Sequence, residues 1–326
     1  MQKISIIIVN YNDQKWLKKL FDSIKSQTYT NYEIIVVDND STDNSVDFIE
    51  RNYTKAKLYR SKNLGYGNAA NTGSKQATGE FLIFLNPDIY LEEDFLEKVI
   101  KEYNGISEKE TFGTMGVLVY GYDKQPIPKK NYDCYGGTID IMAVGYPAKK
   151  GKSIIFNGGS PFFIKRDLYL KTGGFCPNIF LYNEDTDFGL RLMLYGYKHY
   201  FCESTKFYHY VGGTTGAYSP KKIEWYIVGE LNTILNNFNW LLFISLPVHT
   251  CFFIAVLLFY LLSGKMEFVK AILRGYKNIF THFGKILRFR RVVQANRKRS
   301  DFVILKRMHY GLSRITIDSI LTRIKS

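Results

Sequence analysis

Apolar residues first form a run, Ile4 to Val9, broken only by Ser5, and then recur as Trp16, Leu17, Leu20, Phe21 and Ile24, with the polar stretch Asn10-Tyr11-Asn12-Asp13 between. The β-branched run reads as a strand and the later spacing as an amphipathic helix, with Asn12 or Asp13 as its N-cap. The pattern repeats: Glu33 to Val37 ends in Asp38-Asn39-Asp40-Ser41-Thr42-Asp43, and Val46 and Ile49 follow at helical spacing. Lys57 to Tyr59 gives a third strand, and the small residues after Asn63-Leu64-Gly65-Tyr66-Gly67-Asn68 open a helix ending near Gly79. Phe81 to Leu85 is a short apolar run that reads as a buried strand. Asn86-Pro87 stops it, because proline cannot donate to a ladder and restricts the residue before it. A helix from about Glu92 to Tyr103 comes next. Strand, polar turn, helix, strand predicts an α/β fold with a parallel sheet. Ligands of such sheets gather at the carboxyl ends of the strands, where this sequence puts Asp38 and Asp88.

Beyond Thr111 the pattern changes to short strands and loops rich in Gly and Tyr. A helix is predicted from about Lys165, another from Phe188 to Tyr195, and late strands at Tyr200-Phe201 and Phe207-Tyr208. From Leu241 to Leu262 an apolar stretch without charge is interrupted only by Pro247-Val248-His249-Thr250. Its length is near the roughly 20 residues that cross a bilayer as helix. Two parts follow: residues 1–220 as the catalytic candidate and 221–326 as a membrane-associated helical region with a basic tail.

Charge separates the same two parts. From Lys265 onward 16 Lys and Arg face three acids, a net +13 of the chain's +14, so the remainder is close to neutral. An excess of this kind after an apolar stretch suits an anionic membrane surface; no nucleic-acid fold is recognisable around it. Pro247 divides the apolar run into two arms, each too short to cross alone. The expectation is therefore a monotopic or re-entrant element at the cytoplasmic face, preferred over a single span, which would leave the cationic tail outside against the positive-inside tendency. The four cysteines have neither a Cys-x-x-Cys pair nor metal-ligand spacing, which fits a reducing compartment. Met-Gln-Lys followed at once by a strand lacks the pattern of a signal peptide, so the catalytic part is expected in the cytosol.

Four motifs stand in order: Val36-Val37-Asp38-Asn39-Asp40-Ser41-Thr42-Asp43, Asn63-Leu64-Gly65-Tyr66-Gly67-Asn68, Leu85-Asn86-Pro87-Asp88 and Tyr182-Asn183-Glu184-Asp185-Thr186-Asp187. Any one of them is weak, and Asn-Pro-Asp alone is an ordinary strand-ending turn. Together they resemble the GT-A family 2 glycosyltransferases, most of all the bacterial rhamnosyltransferase branch, over about residues 4–215 and more loosely into the helices beyond. The resemblance implies the GT-A nucleotide-diphospho-sugar transferase fold, a Rossmann-like and mostly parallel sheet, carrying an inverting, metal-dependent sugar transfer.

The resemblance also implies roles residue by residue. Asp88 stands for the last acid of the family's Asp-x-Asp motif and would hold Mg²⁺ or Mn²⁺, hard cations that take oxygen ligands from one or two carboxylates and from substrate phosphates. Asn86 replaces the motif's first acid and would bond ribose or phosphate. Asp38 corresponds to the carboxylate that reads a pyrimidine base, with Tyr11 stacked on it. Val9, Asn63, Gly65, Gly67 and Asn68 complete the nucleotide site. Asp185 is the general base, with Glu184 as the near alternative; Gly158 and Gly159 lie beneath donor sugar and acceptor. His209 either completes the metal site or touches the diphosphate. Asp187 and Arg191, four apart on a helix, pair structurally. The donor would be a dTDP-sugar, L-rhamnose first, or a UDP-sugar such as a hexose or galactofuranose. The acceptor would be a lipid-linked cell-surface glycan. The oligomeric state stays open, and a catalytically silent membrane scaffold is the competing class.

Overall fold

A computed structural model describes residues 1–122, 136–148, 150, 154–158, 160–210 and 219–310. Gly159 and the run Gly212 to Thr215 lie outside these residues, as does the tail from residue 311. The first half alternates as expected: β1 (Ile4–Asn10), α1 (Gln14–Lys25), β2 (Tyr32–Asp38), α2 (Ser45–Asn52), β3 (Lys57–Arg60), α3 (Tyr66–Gln76) and β4 (Phe81–Leu85). Pairing of β1, β2, β3 and β4 is parallel throughout. Every residue of β1 is buried. Its alternate side chains go to opposite faces: Ile4, Ile6 and Ile8 pack with Leu17, Leu20 and Phe21 of α1, whereas Ile7 and Val9 pack with Ala69 and Ala70 of α3. Each such burial contributes roughly 1.5–3 kcal/mol. Asp13 occupies the N-cap position of α1 without a side-chain capping bond. The cap comes instead from β2's loop, where Asp43 Oδ2 accepts from the Gln14 amide at 3.1 Å.

Two strands were not legible in the pattern. β5 (Ile89–Leu91) follows Asp88 directly, and after α4 (Phe95–Gly105) and β6 (Phe112–Gly121) comes β9 (Phe162–Lys165), inserted antiparallel between β4 and β6. The two predicted late strands are one strand, β10 (Lys198–His209), irregular in its middle where Cys202 and Lys206 shift register. The sheet order is β3-β2-β1-β4-β9-β6-β10-β5, and a hairpin of β7 (Gly137–Ile139) and β8 (Gly145–Pro147) stands apart from it. Between Leu85 and Ile89 the chain reaches at most about 15 Å. A flat sheet would separate β4 and β5 by roughly 19 Å, so the mostly parallel sheet curls, and Asp88 sits in that crossing. α5 (Arg166–Lys171) and α6 (Glu184–Leu194) cover the same face as α3.

Past residue 219 the chain is helical: α7 (Pro220–Asn237), α8 (Leu242–Leu262), α9 (Met266–Ala295) and the short α10 (Phe302–Leu305). α8 runs unbroken through Pro247, which corrects the expectation of two arms. Ser245, His249, Phe253, Val256 and Tyr260 form one buried stripe along it, and this stripe holds both halves in line. The carbonyl that Pro247 leaves unpaired belongs to Phe243, which is 79% exposed. α9 then returns beside α8, with Tyr260 stacked on Phe268 and Tyr276 bonded to His249. Its end rejoins the sheet region: the Lys298 and Arg299 amides donate to the Leu194 carbonyl, and Ile234, Phe238, Leu241 and Ile304 share a cluster with Ile155, Phe156 and Leu190. The described part of the basic region therefore lies on the same side as the sheet. Among the described residues, α8 is the one helix long and apolar enough to cross a bilayer.

Candidate active site

The loops after β1 and β2 interlock. Asp38 is buried, its Oδ1 accepting from Asn10 Nδ2 at 2.8 Å and its Oδ2 from the Ser41 amide at 3.1 Å. Asn12, at φ 56°, accepts from the Thr42 and Asp43 amides at 2.7 and 3.2 Å. This web shapes a cleft of about 380 Å³ lined by Asp38, Asp40, Ser41, Asp43, Arg60 and Lys62 among others. Tyr11 stands exposed on the first loop, while Val9 is buried under α3. Asn63 joins the second loop to the third, its Oδ1 accepting from Asn39 Nδ2 at 3.0 Å and from the Gly65 amide at 3.3 Å.

The glycines of the third loop serve the protein's own packing. Gly65 has φ 98°, and a Cβ there would sit 2.2 Å from the Phe180 carbonyl oxygen; one at Gly67 would sit 2.9 Å from Phe175 Cβ. Asn68 donates to the Leu64 and Pro177 carbonyls. The loop is thereby bound to the segment leading into α6, which carries Glu184 and Asp185.

At the sheet's crossing Asp88 meets His209. Asp88 Oδ1 and His209 Nε2 are 3.2 Å apart, with the carboxylate 5% exposed. Register fixes this: Ile89 pairs with His209 across β5 and β10, and the Tyr210 amide donates to the Asp88 carbonyl at 3.0 Å. The Tyr122 hydroxyl donates to the same carbonyl at 3.2 Å; burial and then the Asp88 charge push that phenol up. Asn86 is held through its amide, which donates to Ser160 Oγ at 3.0 Å. No group of three His, Cys, Asp or Glu that could hold a metal occurs among the described residues. One carboxylate and one imidazole form an incomplete ligand set, which suits a cation that takes its remaining ligands from phosphate and water.

Glu184 and Asp185 open α6 after two successive residues in the left-handed region, Tyr182 and Asn183, both at φ 66°. That conformation costs a side-chain-bearing residue roughly 1–2 kcal/mol. Gly229 of α7 holds it, for a Cβ there would be 2.6 Å from the Tyr182 carbonyl, and Asn183 Nδ2 donates to the Ala143 carbonyl at 2.9 Å. Asp185 Oδ1 accepts from the Thr186 amide at 2.7 Å. A Cβ at Gly158 would lie 3.4 Å from Asp185 Oδ2, so the glycine leaves room beside that oxygen. Glu184 differs: its Oε2 is buried without a partner. Burial first and the Asp185 charge second push Glu184 up to about 8. Tyr66 is raised by burial and then by Glu184, Asp185 and Asp88, which puts its phenol in the field of both acid groups. Asp187 and Arg191 pair at 3.0 Å, both fully buried, and Asp187 also accepts from Asn236 and Asn237 of α7.

Asp185, Gly158, Ser160 and His209 line one cavity of about 550 Å³, whose other walls come from β6, β10, the β7–β8 hairpin, α7 and α8 among others. The sequence reading did not find Tyr66, Ser160, Tyr226 or Glu230. Only Glu230 left a signal: it is a lone carboxylate among Ile227, Val228, Leu231 and Ile234.

A curled, mostly parallel sheet with acids at the carboxyl ends of its strands, and a late histidine beside the last of them, defines a GT-A-type transferase fold. The chain belongs to glycosyl transferase family 2, whose profile matches residues 5–185. A dolichyl N-acetyl-α-D-glucosaminyl phosphate 3-β-D-2,3-diacetamido-2,3-dideoxy-β-D-glucuronosyltransferase of Methanococcus voltae is 28% identical over 230 residues, 61% of this chain and 64% of that protein. A poly(ribitol-phosphate) β-glucosyltransferase of Bacillus spizizenii is 31% identical over 147 residues, 43% of this chain and 23% of that protein. The chain thus spans less than two thirds of each of these relatives. Residues 1–349 of TarS from S. aureus in complex with UDP superpose with a TM-score of 0.56 at 19% identity, covering 90% of both chains. GalNAc-T7 with UDP, GalNAc and Mn²⁺ gives 0.60 at 18% identity, covering 74% of this chain and 49% of that one; both likenesses concern the fold.

Proposed function

We propose that the protein is an inverting glycosyltransferase that moves a sugar from a nucleotide diphosphate to a lipid-linked cell-surface glycan. The observation that carries this reading is that Asp185 and His209, the latter in contact with Asp88, line the same cavity. Asp38, Asn63 and Tyr11 bind the nucleoside. Asp88 and His209 would hold Mg²⁺ or Mn²⁺, which would supply neutralising charge for the departing diphosphate. Asp185 accepts the proton of the acceptor hydroxyl while that oxygen bonds to the anomeric carbon on the face opposite the diphosphate. The bond from that carbon to the diphosphate breaks, and its electron pair leaves with the phosphate oxygen. Burial and the Asp185 charge favour the protonated form of Glu184, which keeps a second negative charge from Asp185.

The Leu-Asn-Pro-Asp motif favours dTDP-L-rhamnose as donor. A UDP-hexose is the second reading, supported by the UDP held in the TarS structure. The acceptor reading is supported by the Methanococcus relative's name, which specifies a dolichyl-linked monosaccharide. Attachment at the cytoplasmic face is supported by the outer side of the α8–α9 pair, where Phe243, Ile254, Leu258, Leu262, Leu273 and Phe280 are exposed beside Lys270 and Lys277. Such a face suits a monotopic element on an anionic surface. α9 returns to the sheet and carries too many charges to cross with α8, which weighs against a single span. Asp185→Asn tests the mechanism: transfer falls about 10²–10⁴-fold while donor affinity stays within twofold. Full transfer by that variant removes Asp185 as base, and failure to bind any nucleotide would favour the scaffold class.

A further inference from the structure

The cavity beside Asp185 is rich in hydrogen-bond acceptors. No lysine or arginine occurs among the described residues that line it, and two buried side chains of the lining carry oxygens without a donor. Asn157 is 5% exposed. Its amide nitrogen is used up, donating to Thr114 Oγ1 at 2.9 Å and to the Tyr200 carbonyl at 3.1 Å, which fixes the amide's orientation and leaves Oδ1 buried without a partner. A Cβ on Gly116 or Gly136, both also on the lining, would sit 2.6 or 3.0 Å from that oxygen. Glu230 of α7 is 6% exposed. His249 of α8 meets its Oε2 at 3.1 Å, and among the described residues no other hydrogen bond reaches the carboxyl. Tyr276 of α9 meets His249 Nδ1 at 3.0 Å. With a carboxylate at Nε2 the imidazole donates there and accepts from the Tyr276 hydroxyl, so α7, α8 and α9 together hold Glu230 in one orientation.

We propose that Glu230 and Asn157 are specificity-determining residues of the acceptor site, accepting hydrogen bonds from hydroxyl or amide groups of a neutral sugar whose reacting hydroxyl stands at Asp185. This deepens the transferase reading and rests on it. Buried polar atoms are ordinarily paired, and packing alone would put an apolar residue among Ile227, Val228, Leu231 and Ile234 of α7. A ligand that brings donors satisfies both oxygens. Sugar hydroxyls donate as well as accept, and so match such a lining. A phosphate or carboxylate brings acceptors only, and it would face Asp185 and Glu230 with no lysine or arginine among the described lining to offset its charge. The sugar unit held here is therefore uncharged, and any anionic group of the acceptor lies outside the cavity. About 550 Å³ is the scale of a pocket for one small ligand, so a single glycan end serves Asp185, Asn157 and Glu230 together. His249 acts through Glu230 and is a positioning residue.

The test uses the full chain in lipid nanodiscs and ligand-observed NMR, with UDP and Mg²⁺ present and again without them. The probes are methyl glycosides in pairs that differ by one anionic group: the β-D-glucoside and β-D-glucuronide, the β-D-galactoside and β-D-galacturonide, and the N-acetyl-β-D-glucosaminide and its 6-phosphate. At least one neutral probe is expected to bind tenfold or more tightly than its anionic partner. Glu230→Gln keeps an oxygen for His249 but turns a donor to the cavity; it should weaken that neutral probe at least fivefold while UDP affinity stays within twofold. His249→Phe should weaken the probe as well, and His249→Gln, which can still donate to Glu230, should bind it within twofold of the wild type. An anionic partner bound as tightly as its neutral counterpart, unchanged affinity in Glu230→Gln, or no neutral probe bound overturns the proposal. Titration of the unmodified protein with UDP and dTDP is run alongside. Absent nucleotide binding there counts against the transferase reading, whereas the glycoside pairs alone decide the acceptor site.

Discussion

Asp88 and His209 touch, Oδ1 to Nε2 at 3.2 Å, although 121 positions separate them in the chain. β5 and β10 produce the contact, and neither the antiparallel pairing nor the three-residue β5 is visible in the hydrophobic pattern. A strand of three residues forms only where a partner strand is already in place. The carboxylate and the imidazole are thus joined by tertiary register, and the proposed metal site depends on that register.

Gly65→Ala should destabilise the fold. The added Cβ meets the Phe180 carbonyl at 2.2 Å, and φ 98° is strained for alanine. A loss of about 2–4 kcal/mol is expected, read by chemical denaturation. Gly105→Ala, where a Cβ meets nothing within 4 Å, is the control and should stay within about 0.5 kcal/mol.

Glu184 makes stability depend on pH. Its folded pKa is about 8 against an ordinary 4.5, so between these values the folded protein keeps a proton that the unfolded chain has released. Stability therefore falls as pH rises through this window. In thermal scans Glu184→Gln should gain on the wild type by several degrees between pH 5 and pH 8.5, at about 2–4 °C per kcal/mol. A constant offset across the range would mean that Glu184 titrates as an ordinary glutamate.

Asp301 latches the segment after α9 to the turn between α7 and α8. Fully buried, it accepts from the Asn239 and Leu241 amides at 2.9 and 2.7 Å and pairs with Arg297. Asp301→Ala leaves the two amides without their acceptor and the guanidinium without its carboxylate, at a cost of about 3–5 kcal/mol. Hydrogen exchange should show faster amides at Asn239 and Leu241 before any change in β1.

β1, β2 and β4 were legible because each is a largely apolar run closed by polar residues, with Asp38 and Asp88 after the latter two, and the order of the motifs carried the family. The glycines of the Gly65 loop were read as allowing a ligand to approach the backbone; in the fold the atom that comes close to Gly65 is the Phe180 carbonyl. Pro247 misled because its effect was judged from the helix alone, while the stripe from Ser245 to Tyr260 holds both halves straight against α7 and α9. The α7 wall, with Gly229 under Tyr182 and Glu230 beside the cavity, was hidden for the same reason: its role comes from what packs on it.

The central claim is that Asp88 carries a metal-bound nucleotide diphosphate. Isothermal titration of UDP and dTDP, with and without Mn²⁺, tests it most directly on the wild type, His209→Ala and Asp88→Ala. The wild type should bind at least one nucleotide tenfold or more tightly with Mn²⁺; His209→Ala should lose part of that gain and Asp88→Ala all of it. Equal affinity of wild type and Asp88→Ala in the presence of Mn²⁺ would contradict the account.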